Sequence, residues 1–243
     1  MTVPLPDLSV EYADNVGVFS NVPNVANDFV CNACLGPVKD FSRCYACSKL
    51  FSAAPSILAE RIIPITSALN PGPWYTRLQQ YKAGHHEYAW VLVALLEKYL
   101  AAHADDVTAL LGGPPDLVTI VPSKRGTAYA DQMLARVVNA VPSLPRPLQQ
   151  LLTFSVGATI PRRTYRPGAF SVTRDVTGSR VLLIEDAWVS GATPLSAAGA
   201  LHGAGASVAI LPIARVVDNP KYWVDHPYVA QMAESYDVER WPR

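Results

Sequence analysis

The chain of 243 residues lacks several features that mark membrane, secreted or strongly charged proteins. Its 20 lysines and arginines balance 20 aspartates and glutamates, so the chain lacks the net positive charge that would indicate nucleic-acid binding. A local basic patch is compatible with that balance. The most apolar run, 89–96, is too short to span a bilayer and is followed at once by Glu97 and Lys98. The first residues lack the charged and apolar regions of a secretory signal. We therefore expect a cytoplasmic chain without a membrane span.

Cysteine is scarce as well, and all four cysteines fall in one short segment. They form two C-x2-C pairs separated by nine residues: Cys31, Cys34, Cys44 and Cys47. Each pair can place two thiolates on one turn, and two facing turns complete a tetrahedral Zn²⁺ site. Two disulfides, a redox pair and an iron–sulfur cluster are the alternatives, but a reducing compartment favours zinc. A closed four-cysteine site predicts structural zinc, and the short gap predicts a compact ribbon rather than a helix-bearing finger.

Apolar periodicity in the rest of the chain predicts strands that alternate with helices. Helices are predicted in 74–103, 127–140 and 194–203, and strands at 117–122, 148–154, 180–185 and 207–217. Such alternation is typical of an α/β protein with a parallel sheet flanked by helices. We predict a zinc-ribbon segment at 1–55 and an α/β domain at 56–243, while residues 1–28 and the tail carry no readable pattern.

One predicted strand ends in an unusual way. Its apolar run, 181–184, stops at Glu185 and Asp186, and the small residues of 190–193 follow a few positions later. Ligands bind at the carboxyl ends of strands in open parallel sheets, where these acids are expected. A turn of small residues lets main-chain N–H groups approach a ligand, and Thr193 is a plausible N-cap before Pro194 at the first helical position. This arrangement predicts a phosphate site at a helix N-terminus.

The two carboxylates narrow the nature of that ligand. They would repel a phosphate, so Glu185 and Asp186 are expected to face hydroxyl groups, to which carboxylates make strong hydrogen bonds. A ribose 5-phosphate unit satisfies both requirements. The alternative is that the acids are solvated strand ends, which the adjoining turn disfavours.

The residues of this stretch resemble a known motif. The sequence VLLIEDAWVSGAT (181–193) is similar to the ribose-phosphate-binding motif of type I phosphoribosyltransferases, with Trp188 and Val189 as departures from it. The resemblance narrows to ComF-type competence proteins, which carry an N-terminal C-x2-C…C-x2-C ribbon. The segments 75–84, 121–135 and 162–172 also resemble that family, so that about 29–217 is covered in order.

The resemblance implies a type I phosphoribosyltransferase-like fold and an activity. Phosphoribosyl pyrophosphate would bind with Mg²⁺, and ribose 5-phosphate would pass to a nitrogen of an acceptor as pyrophosphate leaves. Glu185 and Asp186 would contact the ribose hydroxyls. The 5-phosphate would bind Val189, Ser190, Gly191, Ala192 and Thr193. Pyrophosphate would bind the loop of Ser123, Lys124, Arg125 and Gly126.

Other charged residues have two interpretations each. Arg162, Arg163 and Arg166 would close over the departing pyrophosphate, or belong to a solvated loop. Lys82 and the pair His85–His86 could face the site, but exposure at a helix start is favoured.

A second function is compatible with the same family link. A non-catalytic competence protein would bind single-stranded DNA during DNA uptake, with the sugar-phosphate site regulatory or vestigial. The cysteine segment offers a weak basic surface with aromatic groups for stacking: Lys39, Arg43 and Lys49 beside Asp40, with Phe41 and Tyr45. The sequence indicates neither the acceptor base nor the oligomeric state.

Overall fold

A computed structural model of the chain describes residues 6–123, 127–218 and 220–243. Its centre is a four-stranded parallel sheet of order β1-β6-β5-β2. The strands of that sheet are β1 Thr66–Asn70, β2 Leu117–Ile120, β5 Arg180–Trp188 and β6 Ser207–Asp218. A separate antiparallel pair consists of β3 Leu152–Phe154 and β4 Phe170–Val172.

Helices surround the sheet. They are α1 Leu8–Asn15, α2 Tyr45–Leu50, α3 Pro73–Lys82, α4 Glu87–Ala102, α5 Ala104–Leu111, α6 Met133–Asn139, α7 Ala192–Gly203, α8 Pro220–Trp223 and α9 Pro227–Met232. Short 3-10 turns lie at Val16–Val18, Ser56–Arg61, Tyr129–Asp131 and Pro167–Ala169. None of the helices in the described part of the chain combines the length and apolar character that a membrane span needs.

The sheet is buried on both faces, as the apolar runs of its central strands require. Along β5, Leu182 and Ile184 pack in a core with α3, α4 and α6, while Val181 and Leu183 pack in a second core with α7. Alternate side chains of a strand point to opposite faces, which explains why a continuous apolar run suits this position. The prediction of an α/β protein with a parallel sheet flanked by helices is confirmed.

Several predicted boundaries were wrong. The predicted helical segment 74–103 is two helices, because the chain turns at 83–86, where Gly84 has a left-handed φ of 99°. The predicted helix 127–140 becomes helical in the α form only at Met133. Strand 148–154 is short, although Leu148 makes one isolated parallel bridge to Val118. The edge strand β1 was not predicted, because its sequence TSALN is partly polar and has no continuous apolar run.

The cysteine segment differs from the predicted ribbon. The second cysteine pair begins α2, with Cys44 at its N-cap and Cys47 in its first turn, so the expectation of a segment without a helix was wrong. The segment also shares its core with the sheet, since Cys31, Cys34 and Leu50 pack in one cluster with β5 and α7. Burial of the cysteines therefore depends on the sheet.

Candidate functional site

The paired acids lie at the carboxyl end of the sheet, on the strand predicted for them. Strand β5 continues to Trp188, so Glu185 and Asp186 belong to the strand rather than follow it. Both line a cavity of about 360 Å³, and Thr193, from the start of α7, lines it too. The structure thus brings the acids and one end of the predicted phosphate turn to a shared cavity.

Lys82 enters the same cavity from the end of α3. Its Nζ lies 2.8 Å from Oδ1 of Asp186, and the two side chains are 34% and 18% exposed. Burial of the amine opposes its charge, but Asp186 and Glu185 raise the pKa of Lys82. The favoured expectation that Lys82 is simply exposed was wrong, whereas His85 and His86 are exposed as expected.

Tyr81 forms part of the wall beside this ion pair. The residue is 1% exposed, and its hydroxyl has no hydrogen-bond partner among the described residues. Burial first, and then the carboxylates of Asp186 and Glu185, raise the pKa of Tyr81, so the hydroxyl stays neutral.

The turn after β5 presents unused donors. Among the described residues, the main-chain N–H groups of 190–193 donate to no protein acceptor. Gly191 has a φ of 80° and is the N-cap of α7, so Thr193 lies inside the helix rather than at its predicted cap. A Cβ on Gly191 would lie 2.2 Å from the ring of Trp188, which is fully buried against the turn. The bulky residue that departs from the family motif thus packs beneath the turn and leaves its N–H groups free.

The predicted pyrophosphate loop is described only at its edges. Ser123 lines the cavity, whereas Lys124, Arg125 and Gly126 lie outside the described residues. Gln132 joins the two ends of the loop: its Oε1 accepts the Ser123 N–H at 2.9 Å, and its Nε2 donates to the Thr127 carbonyl at 3.2 Å. The Ser123 N–H, expected to bind pyrophosphate, therefore has a protein acceptor.

The predicted closing arginines lie on the other side of the turn. Arg162 and Arg163 line a second cavity of about 220 Å³ together with Val189 and Ser190. Arg162 forms an ion pair with Asp218 at 3.2 Å. Both side chains are exposed, so the pair contributes little to stability. Neither arginine lines the acidic cavity.

The neighbouring arginine in this loop does not reach the acidic cavity either. The main-chain N–H of Arg166 donates to Ser196 on α7, while its guanidinium donates to the Thr159 carbonyl. These contacts hold the segment against α7.

The four cysteines form a compact cluster. All four thiols are free, and their sulfur atoms lie within 4.8 Å of one another, so they can hold one metal ion. Sulfurs of Cys34 and Cys44 are 3.7 Å apart, close to the roughly 3.8 Å edge of a tetrahedron with metal–sulfur bonds of about 2.3 Å. The thiol of Cys31, then the other thiols, and the guanidinium of Arg215 lower the pKa of Cys34 well below its usual value. The donor set fits Zn²⁺ and leaves no open position for catalysis.

Fold and site together define an α/β protein with an acidic cavity at the carboxyl end of its parallel sheet and a four-cysteine cluster behind that sheet. Comparison with known protein families and with curated proteins finds no match for this chain. Its resemblance to ComF-type proteins stays a prediction.

Proposed function

We propose that the chain is a phosphoribosyltransferase-like protein that binds phosphoribosyl pyrophosphate with Mg²⁺ and transfers ribose 5-phosphate to a nitrogen acceptor, releasing pyrophosphate. The four cysteines hold a structural Zn²⁺. The resemblance of 181–193 to the ribose-phosphate motif suggested this activity, and the geometry supports it independently.

One observation carries the proposal. The carboxylates of Glu185 and Asp186 line one cavity with Thr193 from the first turn of α7, and the N–H groups of 190–193 have no acceptor among the described residues. Carboxylates accept hydrogen bonds from sugar hydroxyls, and free N–H groups at a helix N-terminus bind phosphate. A phosphorylated pentose presents both kinds of group in one small molecule.

The charge of the cavity supports a requirement for a divalent cation. Among the described lining residues, Lys82 is the sole cation, against the carboxylates of Asp131, Glu185 and Asp186. A polyanion would be repelled by that balance unless a cation accompanied it. Mg²⁺ prefers carboxylate and phosphate oxygens, so Glu185 and Asp186 offer it suitable ligands beside the ligand's own oxygens. When bound, Mg²⁺ would neutralise the charge of the leaving pyrophosphate.

The protein's own groups would contribute position and proton control. The free N–H groups of 190–193 would fix the phosphate, and the two acids would fix the ribose ring at the other end. Holding both ends restricts the sugar to one orientation, which removes part of the entropic cost of a transfer reaction. Lys82 would be released from Asp186 as the ribose hydroxyls bind, and its ammonium would then lie beside the incoming anion.

A pyrophosphate-release assay tests the transfer. Purified protein is given phosphoribosyl pyrophosphate, Mg²⁺ and each member of a nucleobase panel, and we expect release with at least one base. Asp186→Asn should lower the rate by at least about tenfold, since one charged hydrogen bond contributes about 1.5–3 kcal/mol. Asp105→Asn, which removes an exposed carboxylate on α5 outside the cavity, is the control and should leave the rate unchanged. A panel without release, or equal rates in both variants, would count against transfer.

A second function is favoured by a different surface. Tyr45 on α2 is 65% exposed, and the cations of Arg163 and Lys49 lie 5.3 and 5.7 Å from its ring centroid. Phe41 nearby is 72% exposed. Exposed aromatic rings beside cationic side chains are a common binding surface for single-stranded nucleic acid, because bases stack on the rings while the cations contact phosphates.

Fluorescence anisotropy with a labelled oligothymidylate tests that function. We expect affinity that falls as salt rises, and Tyr45→Ala should weaken it by roughly 1–3 kcal/mol of lost stacking. Tyr222→Ala, which removes another exposed aromatic side chain, is the matched control. Binding that is insensitive to salt or to Tyr45→Ala would remove this candidate.

A further inference from the structure

A buried arginine joins the cysteine cluster to the ligand turn. Arg215 lies on β6 opposite Trp188 of β5 and is 7% exposed. Its Nε lies 3.4 Å from the Cys34 sulfur, and its Nη1 donates to the carbonyls of Trp188 at 3.2 Å and Val189 at 3.4 Å. One guanidinium therefore contacts both a predicted metal ligand and the two residues that precede the turn.

The cysteine loop is shaped around this guanidinium. A Cβ on Gly36, between the two cysteine pairs, would lie 2.5 Å from Nη2 of Arg215. Any larger residue at that position would push the loop or the arginine away. Gly36, two positions after Cys34, is thus tied to Arg215 by close contact.

The buried positive charge of Arg215 requires a partner of opposite charge. Among the described residues no carboxylate forms an ion pair with Arg215. A buried cation without an opposite charge is strongly disfavoured. Thiolates that bind a divalent metal are deprotonated, and four of them leave the loaded site with a net negative charge. When loaded with metal, the cysteine cluster would therefore supply a counter-charge for the guanidinium, which also donates to the carbonyls of Trp188, Val189 and Val216.

The hydrogen bond from Arg215 to the Val189 carbonyl also fixes the direction of the next main-chain N–H group. In a trans peptide the C=O and the following N–H point in opposite directions, and the peptide bond that follows Val189 is not cis. Because Arg215 holds the Val189 carbonyl, it directs the Ser190 N–H to the side away from the guanidinium. Ser190 belongs to the turn whose N–H groups have no acceptor in the described part of the chain.

We propose that Arg215 is a positioning residue that makes phosphate binding at the 190–193 turn depend on metal occupancy of the four-cysteine site. The proposal deepens the proposed function and rests on it for the identity of the ligand. Loss of the metal would free the guanidinium from Cys34 and release the Val189 carbonyl. By thermodynamic linkage the effect is reciprocal, so phosphate at the turn would raise the affinity for the metal by the same factor.

Hydrogen–deuterium exchange of the ligand-free protein tests the bridge separately from the ligand. The N–H groups of 190–193 have no acceptor among the described residues and exchange quickly in any state, so the reporter of the turn is the Leu195 N–H, which donates to the Gly191 carbonyl at 3.0 Å. In zinc-loaded wild type we expect slow exchange at this amide, and faster exchange after chelation. Arg215→Lys keeps the charge but lacks the planar fork of donors, so its turn should exchange fast even with zinc, and chelation should add nothing. Arg61→Lys is the control, since Arg61 contacts Ser207 at the opposite end of β6, and it should behave as wild type.

Each result decides the proposal. Equal exchange at the turn with and without zinc in wild type, or full zinc dependence in Arg215→Lys, would overturn it. If the variant does not fold, the wild-type comparison decides; if chelated protein unfolds, the zinc-loaded variant decides. Protection of β5 and β6 amides reports folding in the same experiment.

A second measurement uses ligand and metal together. Zinc affinity is measured by competition with a chelating dye, with and without ribose 5-phosphate, and we expect a rise of about tenfold, typical of linked sites. Arg215→Lys should reduce that factor to about one. An unchanged factor in the variant would contradict the bridge. Absence of ribose 5-phosphate binding would instead defeat the proposed function, while the exchange result on the turn would stand.

Discussion

At the scale of single residues, the acidic cavity is lined by polar groups that are largely buried and have unusual hydrogen-bond or ion-pair partners. Asp186 meets Lys82, and Tyr81 beside them has no partner for its hydroxyl among the described residues. Unpaired buried polar groups reduce stability and are retained where a ligand can use them. The ligand-free protein is therefore expected to be less stable than its packing alone would allow.

Tyr81→Phe tests that expectation. Removal of an unpaired hydroxyl takes away a desolvation cost, so the free energy of unfolding should stay the same or rise by up to about 1 kcal/mol. Tyr228→Phe is the matched control, because the Tyr228 hydroxyl donates to the Leu35 carbonyl at 2.8 Å and also pairs with Ser67; it should lose about 1 kcal/mol. Urea unfolding measures both. Equal losses in the two variants would show that the Tyr81 hydroxyl has a partner.

At the scale of elements, the turn between β5 and α7 depends on one glycine. Gly191→Ala meets two obstacles: a left-handed φ, which costs about 1–2 kcal/mol outside glycine, and the Trp188 ring. Gly178→Ala meets the first alone, since its φ is 72° and nothing lies within 4 Å of its Cβ position. We expect Gly191→Ala to lose more unfolding free energy than Gly178→Ala and to lose phosphate binding, measured by denaturation and calorimetry. Equal losses would mean that Trp188 does not fix the turn.

The opposite end of the same strand is held by a clasp. Asp116 accepts hydrogen bonds from the main chain and the guanidinium of Arg180, which join the starts of β2 and β5. The hydrogen bonds from the Arg180 side chain, and then the one from its main chain, hold the pKa of the Asp116 carboxyl below its usual value. A lowered folded pKa stabilises the protein above the unfolded carboxyl pKa of about 3.9, and the gain is lost as the pH falls through the folded pKa.

Asp116→Asn should therefore lower the midpoint of thermal unfolding at pH 7. The gap between the variant and wild type should narrow as the pH is lowered below about 4, because protonation removes the charge that the variant lacks. Thermal scans from pH 7 downwards measure this gap. A gap that stays constant over that range would show that the charge of Asp116 has no part in the clasp.

At the scale of the whole molecule, the cysteine segment and the sheet share one core. Cys31, Cys34 and Leu50 pack with β5 and α7, and the guanidinium of Arg243 donates to the carbonyls of Ile62 and Ala33. Separate folding of a segment that buries its apolar groups against the sheet is disfavoured. The segment and the sheet are thus expected to unfold together.

Metal removal tests this cooperativity. The whole chain should unfold in a single calorimetric transition. Chelation should lower the temperature of that transition and added Zn²⁺ should raise it again, because a ligand that binds the folded state stabilises it by mass action. A Cys34→Ser variant should show no such response. A separate low-temperature transition, with the main one unchanged, would identify an independent zinc module.

The sequence was informative where the signal was local. The apolar run that stops at Glu185 and Asp186 and the small residues a few positions later lie in one short stretch, and Glu185, Asp186 and Thr193 from it line the cavity. The cysteine spacing likewise predicted a cluster. The roles of Gln132 and Arg215 were missed, and a place for Lys82 in the site was considered but not favoured, because each depends on an element distant in sequence that only packing brings near.

The measurement that tests the account most directly is calorimetric titration with two sugars. Ribose 5-phosphate and 2-deoxyribose 5-phosphate, each with Mg²⁺, are titrated into wild type, Asp186→Asn and the control Asp105→Asn. If the acids bind the ribose hydroxyls, wild type and the control should prefer ribose 5-phosphate by about tenfold or more, since a charged hydrogen bond contributes about 1.5–3 kcal/mol. Asp186→Asn should bind both sugars weakly and alike. Equal affinity of wild type for both sugars, or an unchanged preference in Asp186→Asn, would contradict the account.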